Sequence, residues 1–143
     1  MKKAFSLMEM LIVMAIIGIL AAVTVMGINS FLPSWQLSGS ARLLTSKLRQ
    51  AQEEAVAIQK PHRIYFNSTV PPVSYQLVKV DDGDHELETI TLPQNITLQL
   101  NISNPITFRI DGAPDYNGSI ILDLEGGAMK TINILPAGVI NLQ

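Results

Sequence analysis

Two different spacings of apolar residues divide the chain. Residues 10–28 form a run of 19 without a charge. A helix needs roughly 20 apolar residues to cross a bilayer core of ~30 Å. The run is long enough when residues 5–8 are counted with it. Lys2 and Lys3 precede it, and positive residues stay on the cytoplasmic side, so the long C-terminal part is expected across the membrane. No second apolar run of comparable length follows. The apolar stretch is long for a cleaved signal peptide, and Ala21-Ala22 makes a poor small-x-small cleavage site. A retained single-pass anchor is the expectation.

Residues 29–32 mark the exit from the apolar run, with Trp35 placed to act as an interfacial anchor. Pro33 cannot donate a backbone hydrogen bond and is expected to kink or interrupt the helix. Beyond it Leu37, Ala41, Leu44, Leu48, Ala51, Ala55 and Ile58 follow at spacings of 4, 3, 4, 3, 4 and 3. That is one apolar helical face. Arg42, Lys47, Arg49, Glu53 and Glu54 fall on other faces. The stripe is expected to pack on a core, its small alanines admitting a sheet closely. Pro61 ends the run.

After Pro61 the period becomes two. Strands are expected at 63–66, 73–80, 87–92, 96–102, 106–110, 118–124, 129–135 and 139–142. Asp81-Asp82-Gly83-Asp84 and Glu125-Gly126-Gly127 supply hairpin turns, because Asp and Gly tolerate positive φ. Short strands behind one long helix predict an α+β domain with antiparallel sheets, the helix stripe covering one sheet face.

Length and charge narrow the function. A chain of 143 residues favours one compact domain. The absence of cysteine removes disulfides, thiolate metal sites and a Cys nucleophile. A net charge of −2 gives little general attraction to nucleic acid or anionic lipid.

Candidate chemistry is sparse. Asp81, Asp82, Asp84 and Glu86 could present oxygen ligands to Ca²⁺, but they lack EF-hand spacing and are read as a solvated hairpin tip. His62 and His85 stand far apart without a third ligand or a nucleophile motif. No phosphate-binding glycine pattern occurs. Asn67-Ser68-Thr69, Asn95-Ile96-Thr97, Asn101-Ile102-Ser103 and Asn117-Gly118-Ser119 match the glycosylation sequon, and no role is assigned to them. No catalytic residue, metal site or cofactor is expected. The last 40 residues hold only Arg109 and Lys130 as bases, against Asp111, Asp115, Asp123 and Glu125. Phosphate binding draws on clustered Lys and Arg, which argues against direct nucleic acid binding by this chain.

Glu9 places a carboxylate at the edge of the apolar run. At mid-helix in lipid an Asp costs about +2.5 to +3.5 kcal/mol on insertion scales. Taken alone, Glu9 reads as a carboxylate snorkelling to the headgroups. Its neighbours, Lys2-Lys3-Ala4-Phe5-Ser6-Leu7-Met8-Glu9-Met10-Leu11-Ile12-Val13, resemble the class III signal of type IV prepilins and type II secretion pseudopilins. The resemblance implies leader cleavage between Ala4 and Phe5, methylation of the Phe5 amine, and pairing of Glu9 with the Phe5 amine of a neighbouring subunit. The family usually carries Gly before the cut, and Ala4 departs from it. Loss of the leader would leave eight bases against twelve acids, a net charge of −4.

Leu32-Pro33-Ser34, Arg42-Leu43-Leu44, the run Leu48-Arg49-Gln50-Ala51-Gln52-Glu53-Glu54-Ala55-Val56 and Pro61-His62-Arg63-Ile64 are similar to the GspH/FimT branch. Gln52 stands where Arg is frequent in that branch. Phe108-Arg109-Ile110-Asp111-Gly112 and Pro136-Ala137-Gly138-Val139 extend the likeness. The implied fold is pilin-like, a long helix on an antiparallel β domain. The implied organisation is a leader at 1–4, a transmembrane or filament-core helix at 5–28, an amphipathic helix at 29–60 and an extracytoplasmic β domain at 61–143. The resemblance implies a minor pseudopilin of a type II secretion system, held in the inner membrane with its N-terminus cytoplasmic and its globular domain periplasmic. Implied partners are a prepilin peptidase/methyltransferase, other pseudopilins or pilins, an inner-membrane assembly platform and the lipid bilayer. A minor pilin of a type IV pilus or DNA-uptake machine shares the same N-terminus. A single-pass anchored binding domain that never polymerises is the alternative of a different class.

Overall fold

The computed structural model describes residues 6–68, 73–80, 83–125 and 127–143, without the side chains of 23–30. It divides into two compact units, Met1–Pro33 and Ser34–Gln143. In the first unit, Ser6 caps the start of α1 (Leu7–Ile58). Its Oγ accepts the Met8 N–H at 3.3 Å, satisfying one of the donors that a helix N-terminus leaves unpaired. Its carbonyl accepts the Glu9 N–H at 3.0 Å. From Leu7 to Leu20 the large apolar side chains are exposed. Pro33 lies inside α1, so the helix is not interrupted there as expected. The missing proline N–H costs one ladder bond without ending the helix.

Among the described residues the second unit holds the C-terminal half of α1 and eight strands. Leu37, Ala41, Leu44, Leu48, Ala51 and Ala55 are all buried, as their spacing predicts. Burying each leucine contributes about 1.5–3 kcal/mol. Ile58 departs from the expectation and is 46% exposed. It is the last residue of α1, and the chain turns away at Gln59, which takes a left-handed φ of 56°. The Gln59 amide donates to the Val56 carbonyl at 2.7 Å, and Pro61 prevents further helix.

The strands are β1 (His62–Asn67), β2 (Ser74–Val80), β3 (Asp84–Thr91), β4 (Ile96–Asn101), β5 (Ile106–Phe108), β6 (Gly118–Leu124), β7 (Met129–Ile134) and β8 (Ile140–Leu142). They form two four-stranded sheets, ordered β3-β2-β1-β5 and β4-β6-β7-β8. Every pairing is antiparallel. Alternation puts Ile64, Leu77 and Phe108 of one sheet in the same core as Leu98, Ile120, Leu122 and Ile132 of the other. The α1 stripe joins both.

Two local departures have physical causes. The strand expected at 106–110 stops at Phe108, because residues 109–113 close a turn. Arg109 N–H donates to the Ala113 carbonyl at 2.9 Å and Gly112 N–H to the Arg109 carbonyl at 2.8 Å, with Gly112 at φ 79°. Leu77 and Val78 are consecutive yet both buried. The β2–β3 register shifts between them, as a bulge requires when two neighbours face the same way.

Candidate assembly surface

The residues on which the sequence places processing, Ala4 and Phe5, lie outside the described residues, as do Asp81 and Asp82. Glu9 is described. It is the only acidic residue of the first helical turn and is exposed. Among the described residues it has no ion pair or side-chain hydrogen bond. Ser6 three positions earlier is the helix cap, and Ser-x-x-Glu is the spacing of a capping box. Sequence reasoning passed over Ser6, although that spacing was there to read. Among the described residues no helix is long and apolar enough to cross a membrane. The expected span at 5–28 takes in residue 5 and the side chains of 23–28, which fall outside them.

In the second unit α1 is tied to the sheets by polar side chains, among them Lys47 and Arg49, which the sequence places off the apolar stripe. Lys47 Nζ pairs with Glu88 Oε2 of β3 at 2.5 Å. Arg49 Nη2 donates to the Ile140 carbonyl of β8 at 3.2 Å. Gln52 Nε2 donates to the carbonyls of Gly112 at 2.7 Å and Gly138 at 3.0 Å. Thr45 is buried, its hydroxyl donating to the Ala41 carbonyl at 2.8 Å.

Of the expected acidic tip, Asp84 and Glu86 are described, and both are exposed and partnered. Asp84 accepts from Arg63 Nη1 at 3.2 Å and from the Tyr65 hydroxyl at 2.7 Å. Glu86 accepts from the Thr89 hydroxyl. Among the described residues no three His, Cys, Asp or Glu side chains gather as metal ligands. His62 is fully buried. Its Nδ1 lies 3.0 Å from the Lys60 carbonyl and its Nε2 lies 3.4 Å from Glu54 Oε2. It lies where β1 meets α1, and its Nε2 has no hydrogen-bond partner among the described residues. Asp111 holds the 109–113 turn. Its Oδ1 accepts the Ala113 N–H at 3.0 Å and its Oδ2 the Arg109 guanidinium at 3.1 Å. The Ala113 hydrogen bond first, and the Arg109 charge after it, hold its carboxyl below the usual 3.8.

Among the described residues no group of His, Cys, Asp and Glu side chains gathers into a site. A capped N-terminal helix with an acid in its first turn, continuing onto two antiparallel sheets, defines a protein of the pilin-like class. Residues 1–25 match the prokaryotic N-terminal methylation motif, and residues 40–138 match the family of the type II transport protein GspH. The chain belongs to the GspH family.

Solved structures share the fold. The minor pseudopilin EpsH from the type 2 secretion system of Vibrio cholerae is 13% identical, with a TM-score of 0.63 over 76% of this chain and 96% of that one. The type IV minor pilin FimU of Pseudomonas aeruginosa is 17% identical, with a TM-score of 0.65 over 79% of this chain and 92% of that one. No curated protein matches the chain.

Proposed function

We propose that this protein is a minor pseudopilin of a type II secretion system, assembling into a periplasmic pseudopilus that supports protein export. The observation that carries this reading is membership of residues 40–138 in the family of the type II transport protein GspH. The methylation motif over residues 1–25 supports its processing. A prepilin peptidase cuts between Ala4 and Phe5, and the new Phe5 amine is methylated. The uncharged run anchors the chain in the inner membrane, with the sheets on the periplasmic side.

Assembly then follows from charge. A carboxylate taken into an apolar filament core needs a partner. Glu9 is exposed and lacks a cation among the described residues. The Phe5 amine of an adjacent subunit supplies one, and the pair fixes axial register. The other pseudopilins and the inner-membrane platform provide those neighbours.

The likeness to the type IV minor pilin FimU favours a second reading, in which the same chain serves a type IV pilus. Deleting the gene in its host separates the two. Loss of exoprotein secretion with surface pili and twitching intact supports the pseudopilin. Normal secretion with lost twitching or DNA uptake supports the pilus. Coexpression with a prepilin peptidase, followed by mass spectrometry, tests the shared processing step. An N-methylated Phe5 terminus is expected. An uncut chain retaining residues 1–4 makes the protein a static anchored domain instead.

A further inference from the structure

The outward face of α1 at the start of the second unit carries groups that the fold does not use. Trp35 is 76% exposed and is the only tryptophan in the chain. Together with Ser38, Gly39 and Arg42 it bounds an open space of about 400 Å³. Among the described residues the Arg42 side chain makes no hydrogen bond or ion pair. We propose that this space seats a phospholipid headgroup, with the Arg42 guanidinium and Ser38 hydroxyl on the phosphate and the Trp35 indole at the glycerol level.

Three observations favour lipid over other occupants. Trp35 follows the last residue of the apolar stretch, Ile28, by seven residues, and Arg42 is the first charge after Glu9, which places the pair where interfacial groups belong. Seven residues of helix rise about 10 Å from Trp35 to Arg42, and helical side chains lean toward the N-terminus. The guanidinium therefore reaches back toward the indole, within a span like the headgroup layer of roughly 5–8 Å. An unpaired guanidinium complements a phosphodiester, which accepts its fork of donors. The net charge of −2 gives the chain as a whole no pull to such a surface. Arg42 acts locally, within a Debye length of ~8 Å.

The inference rests on the membrane-anchored reading above. Its test uses the full chain in vesicles, with flotation recorded alongside Trp35 fluorescence. Blue-shifted emission is expected, quenched more by bromines near the headgroup than by bromines deep in the acyl chains. Phosphatidylglycerol should raise the quenching over phosphatidylcholine alone. Arg42→Gln should lower the docked-to-free ratio in phosphatidylglycerol about fivefold. Chains that float but keep solvent-exposed, unquenched Trp35 overturn this inference alone. So does a shift that appears only when subunits assemble, since a protein then covers the site, and so does an Arg42→Gln variant indistinguishable from the parent. Failure to float overturns the anchorage and the inference together.

Discussion

The side-chain amide of Gln52 reaches the carbonyl of Gly138 at 3.0 Å, 86 residues away in sequence. The same nitrogen reaches the Gly112 carbonyl at 2.7 Å, so one residue of α1 fastens two turns. Gly138 has a φ of 77°, and a Cβ there would collide with Gln52 Nε2 and the Gly112 carbonyl. Gln52→Ala should cost about 1–2 kcal/mol, the loss of two modest hydrogen bonds. Gly138→Ala should cost more, about 2–4 kcal/mol, because left-handed strain adds to the overlap. Thermal unfolding followed by circular dichroism should rank them in that order. A Gly138→Ala chain as stable as the parent would show that the turn shifts freely.

Glycine replaced by alanine should act with opposite sign at two other positions. Gly39 lies within α1, where an added Cβ meets nothing within 4 Å. Gly39→Ala should raise stability by about 0.5–1 kcal/mol, since glycine is a weak helix former. A Cβ at Gly118 would lie 2.8 Å from Ile102 Cβ and collide with the Asn101 carbonyl. Gly118→Ala must pry β4 from β6 and should cost about 2 kcal/mol or more. Denaturant midpoints that fall in both variants would remove the helical account of Gly39.

These positions show which features a sequence exposes. The stripe from Leu37 to Ala55 was legible because helix packing is periodic and local. So was the alternation of Ile96, Leu98 and Leu100, although not which of two sheets it joins. Glu9 was legible as an anomaly, since one charge in an apolar run needs a reason. Gln52 was noticed as a departure from the family run, but its partners were not legible. They come from turns 60 and 86 residues away, and no local period encodes such a contact. His62 read as an isolated histidine because its burial comes from packing that spacing does not encode. It is buried near Lys60 and Glu54, and only the second of those lies in α1. Ile110 kept the strand alternation but sits in a turn set by Gly112 and Asp111, whose local chemistry outweighed the pattern.

Tyr75 is nearly fully buried and packs on Phe66 with ring centroids 6.0 Å apart. Its hydroxyl has no hydrogen-bond partner among the described residues. Burial first, and the Glu88 carboxylate after it, push its pKa above the usual 10.0. The folded chain therefore keeps a proton that the unfolded chain releases above that pH. The stabilising contribution is complete below pH 10 and is lost as pH rises toward the folded value, by about 1.4 kcal/mol per pH unit for one proton. Tyr75→Phe should flatten this alkaline decline. At neutral pH it should be neutral or stabilising by up to about 1 kcal/mol, because it removes a buried unpaired polar group. Urea unfolding at neutral and alkaline pH measures both effects. A large neutral-pH loss would mean that the hydroxyl has a partner after all.

Glu9 separates two explanations that its position allows. As the third helical residue after the Ser6 cap, its side chain suits a capping box, a role that glutamine can also fill. As the partner of a neighbour's Phe5 amine, only its charge serves. Glu9→Gln should therefore preserve helix initiation and membrane insertion while lowering filament incorporation. Glu9→Leu should insert at least as well and incorporate no better. Removing one member of a buried ion pair costs about 3–5 kcal/mol because the other charge is left alone, so loss of incorporation should be near complete. A variant blocked at the Ala4–Phe5 bond should copy the defect, since its partner amine never forms. Coassembly of tagged variants with the other filament subunits, followed by shearing and blotting, reads incorporation. If Glu9→Gln enters filaments like the parent while Glu9→Leu fails, capping explains Glu9 and the charge pair does not.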